Sequence, residues 1–204
     1  MTDVTLLAVS KTFGPEAVRE AHDAGQRVFG ENYIQEAVEK IALLRELPLQ
    51  WHCIGPVQSN KTRLVAAHFD WIHTIDRLKI AQRLSEQRPP ELAPLQVCIQ
   101  VNIDGGSTKA GAAPKDVPAL AAEIRLLPRL QLRGLMTIPE PADGFAAQRA
   151  VHLRTRALFD QLNEAGLALD TLSMGMTADL EAAIAAGSTM VRVGSAIFGG
   201  RPAK

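Results

Sequence analysis

TLLAVSKTFGPEAVREAHDAGQRVFG, residues 5–30, contains the unit from which the fold follows. Residues 5–9 are short and apolar, the character of a strand covered on both faces. Gly14-Pro15 then opens a helix and Gly25 closes it, with proline inside the start and glycine past the end. Residues 27–30 form a second strand-like run. Strand, helix and strand in succession make a βαβ unit with its strands parallel.

The alternation continues along the whole chain. Further strand-like runs lie at 51–55, 71–75, 95–103, 130–136, 169–173 and 189–194. Between the second and third, Ile34, Ala37, Val38, Ile41 and Leu44 follow the spacing of one buried helical face. Asp76 stands where a cap would start a helix over 77–87, which ends at Pro89-Pro90. Helices also fit 114–126, 144–165 and 177–186, with a weaker one at 59–68. Eight strand–helix repeats predict an α/β protein, a single (β/α)8 TIM-type barrel over residues 1–204. An open doubly wound sheet is the alternative. It wants a glycine-rich loop after the first strand, where this chain has Ser10-Lys11-Thr12.

Of the 204 residues 47% are hydrophobic, and 22 basic side chains balance 22 acidic ones. That neutrality gives no electrostatic reason to expect nucleic acid or an anionic membrane as partner. No apolar run approaches the ~18 residues of a membrane span, and no basic-then-apolar leader is present. The expectation is a cytoplasmic protein, monomeric, with a small-molecule partner. Cys53 and Cys98 sit in apolar strand-like runs and read as buried thiols of a reducing compartment.

Active sites of such barrels gather at the C-terminal ends of the strands. The first strand delivers Lys11 there, the second Asn32, and the last two lead into Ser173 to Thr177 and Arg192 to Ser195. Loops after strands seven and eight often hold phosphate, and both combine glycine with hydroxyls: Ser173, Thr177 and Ser195. An amine close to apolar strand ends is a candidate Schiff-base nucleophile. Amine and phosphate grip together point to a phosphorylated aldehyde, either an aldolase-type sugar phosphate or pyridoxal 5′-phosphate. The histidines offer no metal site. His52 and Cys53 are adjacent on a strand and face opposite ways. His22, His68 and His152 fall in helices, and His73 lies near a strand end.

AVSKT (8–12), FGENYIQE (29–36), WHCIGPVQSNK (51–61), RGLMTIPE (133–140) and LSMGMTADLEAAIAAGSTMVRVGSAIFG (172–199) resemble the pyridoxal phosphate homeostasis proteins. These are the YggS/PROSC-type relatives of the alanine racemase barrel, fold type III among pyridoxal phosphate-binding proteins. The resemblance runs from about residue 6 to 201. It implies that Lys11 carries the cofactor as a Schiff base and that Ser173, Gly194 and Ser195 contact the phosphate. It also implies that Arg192 faces the pyridine nitrogen and that Asn32 stands at the pocket rim. Relatives usually carry an extra helix before AVSKT, whereas here the first strand starts within a few residues of Met1.

The resemblance further implies a non-catalytic role in storing, buffering or delivering pyridoxal phosphate, with pyridoxal phosphate-dependent apo-enzymes as recipients. A guanidinium does not protonate the pyridine, so the ring is a weak electron sink. Racemases add a second base, a tyrosine from a further domain. The single tyrosine here, Tyr33, belongs to the second helix and does not match it. The alternatives are a single-domain amino-acid racemase and a Schiff-base aldolase. Lys61 and Lys109 are further amines that transfer could use.

Overall fold

The computed structural model describes residues 3–106 and 109–200. Eight parallel strands close on themselves in chain order: β1 (Thr5–Val9), β2 (Val28–Glu31), β3 (Gln50–Cys53), β4 (Trp71–Ile75), β5 (Leu95–Gln100), β6 (Leu130–Met136), β7 (Thr171–Ser173) and β8 (Met190–Val193). Closure comes from β1 lying along β8, with Thr5 to Ala8 opposite Met190 to Val193. The helices that follow the strands are α1 (Pro15–Asp23), α2 (Ile34–Leu43), α3 (Thr62–His68), α4 (Leu78–Gln87), α5 (Val117–Ile124), α6 (Phe145–Glu164), α7 (Leu180–Ala185) and α8 (Ser195–Phe198). The expected (β/α)8 barrel is the observed one.

The differences are local and have local causes. Arg77, not Asp76, is the residue before α4, and the Asp76 carboxylate pairs with the Arg77 guanidinium at 2.8 Å. The run expected to extend to 103 stops at Gln100, because the chain folds back on itself there. Asn102 N–H then bonds Ala112 O, and Ala112 N–H bonds Gln100 O. Helix α7 begins three residues later than its spacing suggests, since Asp179 turns the preceding segment by accepting from Met176 N–H at 2.7 Å.

Alternation along the strands sorts side chains into two layers. Ala8, Phe29, Cys53, Ile72, Val97, Leu135 and Leu172 face outward and form the main core under the helices. Leu7, Val9 and Met190 face inward, as do Trp71, Cys98 and Met136. His52 and Cys53 do face opposite ways. Burial raises both cysteine thiols to about 12, so they are protonated and inert. Among the described residues no helix is long and apolar enough to cross a membrane.

Beside β7 the barrel wall has no room for a side chain at Gly134. A Cβ there would lie 1.7 Å from the Thr171 carbonyl oxygen, backbone that moves only if β6 and β7 separate. At Gly30 the nearest atom is Leu7 Cδ2, 2.4 Å away, which can yield by rotation. Gly134→Ala should therefore cost about 3 kcal/mol and lower the Tm by about 6–12 °C, with Gly30→Ala costing clearly less. Calorimetry of the two variants checks this, and equal losses would refute the backbone clash.

Candidate functional site

At the C-terminal end of the barrel lies a cavity of about 380 Å³. That size suits a small ligand. Its floor and walls come from β1 and β8 and the loops after β1, β2, β7 and β8, with Lys11, Asn32, Thr177, Arg192, Gly194 and Ser195 among the lining residues.

Lys11 is there because of strand parity. Leu7 and Val9 point inward, so the residue two further on continues that row into the mouth of the barrel. The peptide before it is fixed from the outer side. Lys40 of α2 donates to Ser10 O at 2.9 Å and to Glu31 Oε1 at 2.5 Å, and Ser10 Oγ donates to the same carboxylate oxygen at 2.6 Å. All three residues are buried. Burial pushes the Glu31 carboxyl up from its ordinary value, opposed by Lys40 and Ser10. Thr12 follows with φ 69°, a left-handed conformation that is costly for a β-branched residue and turns the chain at Lys11.

The loop after β7 is clamped from below. Asp179 accepts from Met176 N–H through Oδ1 and from His152 Nε2 through Oδ2 at 2.8 Å. Burial alone would raise this carboxyl, but these bonds hold it below its ordinary value. The clamp presents Thr177 to the cavity. The loop after β8 is tied across the mouth by Phe198 stacked on Phe13, with centroids 5.2 Å apart.

Arg192 rises from the barrel interior and is 4% exposed. Its NH1 donates to Ser173 O at 2.7 Å and Ser173 Oγ at 2.8 Å, and its NH2 donates to Thr137 O at 2.8 Å. Burial lowers its pKa to about 10, so it stays charged at neutral pH. Behind it, His73 Nδ1 meets Ser173 Oγ at 2.8 Å, His73 Nε2 meets His52 Nδ1 at 2.8 Å, and His52 Nε2 meets Gln50 Oε1 at 3.0 Å.

Five of the six site residues expected from the sequence therefore share one cavity: Lys11, Asn32, Arg192, Gly194 and Ser195. Ser173 is not in the lining. Its side chain is fully buried in the barrel, with the hydroxyl engaged by Arg192 and His73. Of the two hydroxyls expected from this segment, Thr177, four residues on, is the one in the lining. His73 is fully buried below the cavity rather than facing it, and His152 is buried as the partner of Asp179. Lys109 pairs with Glu140 at 3.0 Å, and neither it nor Lys61 lines the cavity. The Ser10–Glu31–Lys40 cluster escaped the sequence reading. Its signal is the spacing Ala37, Lys40, Leu44, which puts a lysine on the buried face of α2.

A family model described as alanine racemase, N-terminal domain, matches residues 1–202. Over 97% of its length the chain is 63% identical to the pyridoxal phosphate homeostasis protein of Pseudomonas aeruginosa, spanning 85% of that protein. The chain belongs to the pyridoxal phosphate homeostasis family, within the alanine racemase N-terminal domain family. The Escherichia coli K12 member is 56% identical over 98% of this chain and 86% of its own. Among solved structures, PipY of Synechococcus elongatus with pyridoxal phosphate bound matches with a TM-score of 0.87 at 40% identity, over 96% of this chain and 92% of that one. The alanine racemase of Clostridium difficile matches all of this chain and 54% of its own with a TM-score of 0.82, but at 18% identity it shares only the fold.

Removing Lys40 would leave a buried carboxylate whose Oε2 already lacks a hydrogen-bond partner among the described residues. Lys40→Met should destabilise by about 3–5 kcal/mol, while the double variant Glu31→Gln, Lys40→Met should cost distinctly less. Urea unfolding of the single and double variants measures the coupling. Strict additivity would contradict a buried pair.

Proposed function

We propose that the chain binds pyridoxal 5′-phosphate in this cavity and serves intracellular pyridoxal phosphate homeostasis by storing, buffering or delivering the cofactor, without catalysing amino-acid turnover. The observation that carries this reading is the meeting of Lys11, the hydroxyls of Thr177 and Ser195, and the buried Arg192 in one cavity. The name of the Pseudomonas aeruginosa relative and the cofactor bound to PipY support it.

The residues present suit that ligand. Among the described residues Asn32 Oδ1 is a buried acceptor with no partner, so a donor group at the wall of the cavity would satisfy it. Among the described residues Arg192 spends three of its five N–H groups on protein acceptors, leaving two for a ligand. Gly194 presents bare backbone, and the amides that open α8 have no acceptor within their own helix. With Thr177 and Ser195 they supply donors for a phosphate, in the position where barrels of this type often bind one.

When bound, pyridoxal phosphate supplies an aldehyde that condenses with a primary amine and a ring whose electron demand depends on its nitrogen. Lys11 is the primary amine of the lining. Arg192 can donate a hydrogen bond to a ring nitrogen but stays charged, so it does not hand over its proton. Among the lining residues Lys11 is also the one group suited to act as a base. Tyr33 is 51% exposed and lies outside the lining. One base and a weak electron sink suit retention of the cofactor better than racemisation. Release to apo-enzymes in a reducing cytoplasm, from a monomer, completes this reading. The racemase alternative has a shared fold in its favour and no second base among the lining residues.

Borohydride reduction of the loaded protein should fix the pyridoxyl group on the peptide containing Lys11, and label on Lys61 or Lys109 instead would sink the assignment. Thr177→Ala and Ser195→Ala should each weaken pyridoxal phosphate binding by about ten- to a hundredfold while leaving unphosphorylated pyridoxal nearly unaffected. Equal losses for both ligands, measured by absorbance titration, would remove these hydroxyls from the phosphate.

A further inference from the structure

The hydrogen bonds behind Arg192 form a line through the barrel, from the cavity to exposed Gln50 at the opposite end of β3. Its members come from four strands: Arg192 from β8, Ser173 from β7, His73 from β4, and His52 and Gln50 from β3. Ser173, His73 and His52 are each fully buried. His52 is additionally held flat against Trp71, with centroids 5.1 Å apart and planes 7° from parallel.

The protons on this line have one consistent arrangement. Arg192 only donates, so Ser173 Oγ must accept from it. The Ser173 hydroxyl proton then goes to His73 Nδ1. That leaves the ring proton of His73 on Nε2, from which it is donated to His52 Nδ1. His52 in turn carries its proton on Nε2 and donates to Gln50 Oε1. Every proton has an acceptor and neither imidazole is charged. The opposite direction would bring two N–H donors onto Ser173 Oγ and leave the hydroxyl proton to find another acceptor. Neutral rings also agree with burial, which together with the nearby guanidinium pushes His73 down to about 3 and together with His73 pushes His52 well below its ordinary value.

We infer that Ser173 and His73 are positioning residues for Arg192, the first two members of a one-way chain of donation, Arg192 to Ser173 to His73 to His52 to Gln50, that fixes which way the guanidinium faces the cavity. NH1 is held at two points by one residue, and NH2 by Thr137 O, so the plane of the group cannot turn while Ser173 Oγ is locked. His73 supplies the lock. It acts through the hydroxyl and touches no ligand itself. This inference rests on the proposed cofactor reading only for the ligand group that Arg192 meets.

The test has two arms. In 15N-labelled protein without cofactor, imidazole resonances should report the proton on Nε2 of both His73 and His52. A proton on His73 Nδ1 would overturn the chain whatever the ligand. In the second arm Ser173→Ala should weaken pyridoxal phosphate and unphosphorylated pyridoxal by the same factor, about tenfold, because the damage is at Arg192 and not at the phosphate. Ser173→Thr, which keeps the hydroxyl, should restore most of that loss. A Ser173→Ala defect confined to the phosphorylated ligand would place Ser173 at the phosphate and overturn the inference. If wild-type protein bound neither ligand, the cofactor reading would fail, and the resonances would still decide the chain. Those resonances need no variant, so misfolding of Ser173→Ala leaves a decisive measurement.

Discussion

A guanidinium inside a closed barrel is the constraint to which the rest of this site answers. Taken out of water without partners, such a charge would cost several kcal/mol or more. Here it is met by two backbone carbonyls and one hydroxyl, from Ser173 at the end of β7 and Thr137 just after β6. Meeting it that way dictates the chemistry of the barrel interior. Ser173 must stay beside Arg192, and its hydroxyl must be supported in turn by His73 and His52. An interior that most barrels fill with branched aliphatics is polar along one line and apolar elsewhere, where Leu7, Val9, Trp71, Cys98 and Met136 pack.

Lys11 reaches the same cavity from the neighbouring strand. It continues the inward row of β1, while the buried ion pair of Lys40 and Glu31 pins the peptide before it. Two basic side chains thus line one cavity, Arg192 held at depth and Lys11 on a short turn after β1. Lys11 and Arg192 share that cavity with the hydroxyls of Thr177 and Ser195. The polar line, the buried pair and the clamped loop after β7 all restrain the walls of the cavity.

The barrel was legible in the sequence because each repeat carries its own punctuation, as Gly14-Pro15 and Gly25 do for α1. The C-terminal ends followed once the strands were placed, which is why Lys11, Arg192, Gly194 and Ser195 share one cavity as expected. Ser173 fell on the wrong side of a boundary that residue types do not mark. Strand β7 is three residues long, and nothing in LSMGMT says that the inward row ends at Ser173 and the loop begins soon after. Thr177 and Ser173 look alike as sequence, and the clamp by Asp179 and His152 separates them. Lys40 was illegible for another reason. Charge argues for solvent, and only the carboxylate arriving from β2 makes burial tolerable.

An account in which a held guanidinium and a lone base retain the cofactor without using it stands or falls on the Cα hydrogen of a bound amino acid. The direct measurement is NMR of alanine in heavy water with protein and stoichiometric pyridoxal phosphate. Exchange of the Cα hydrogen should be far slower than the ~1 s⁻¹ at which enzymes begin to turn over. Exchange at ~1 s⁻¹ or faster that disappears in Lys11→Ala would contradict it and make the protein a racemase.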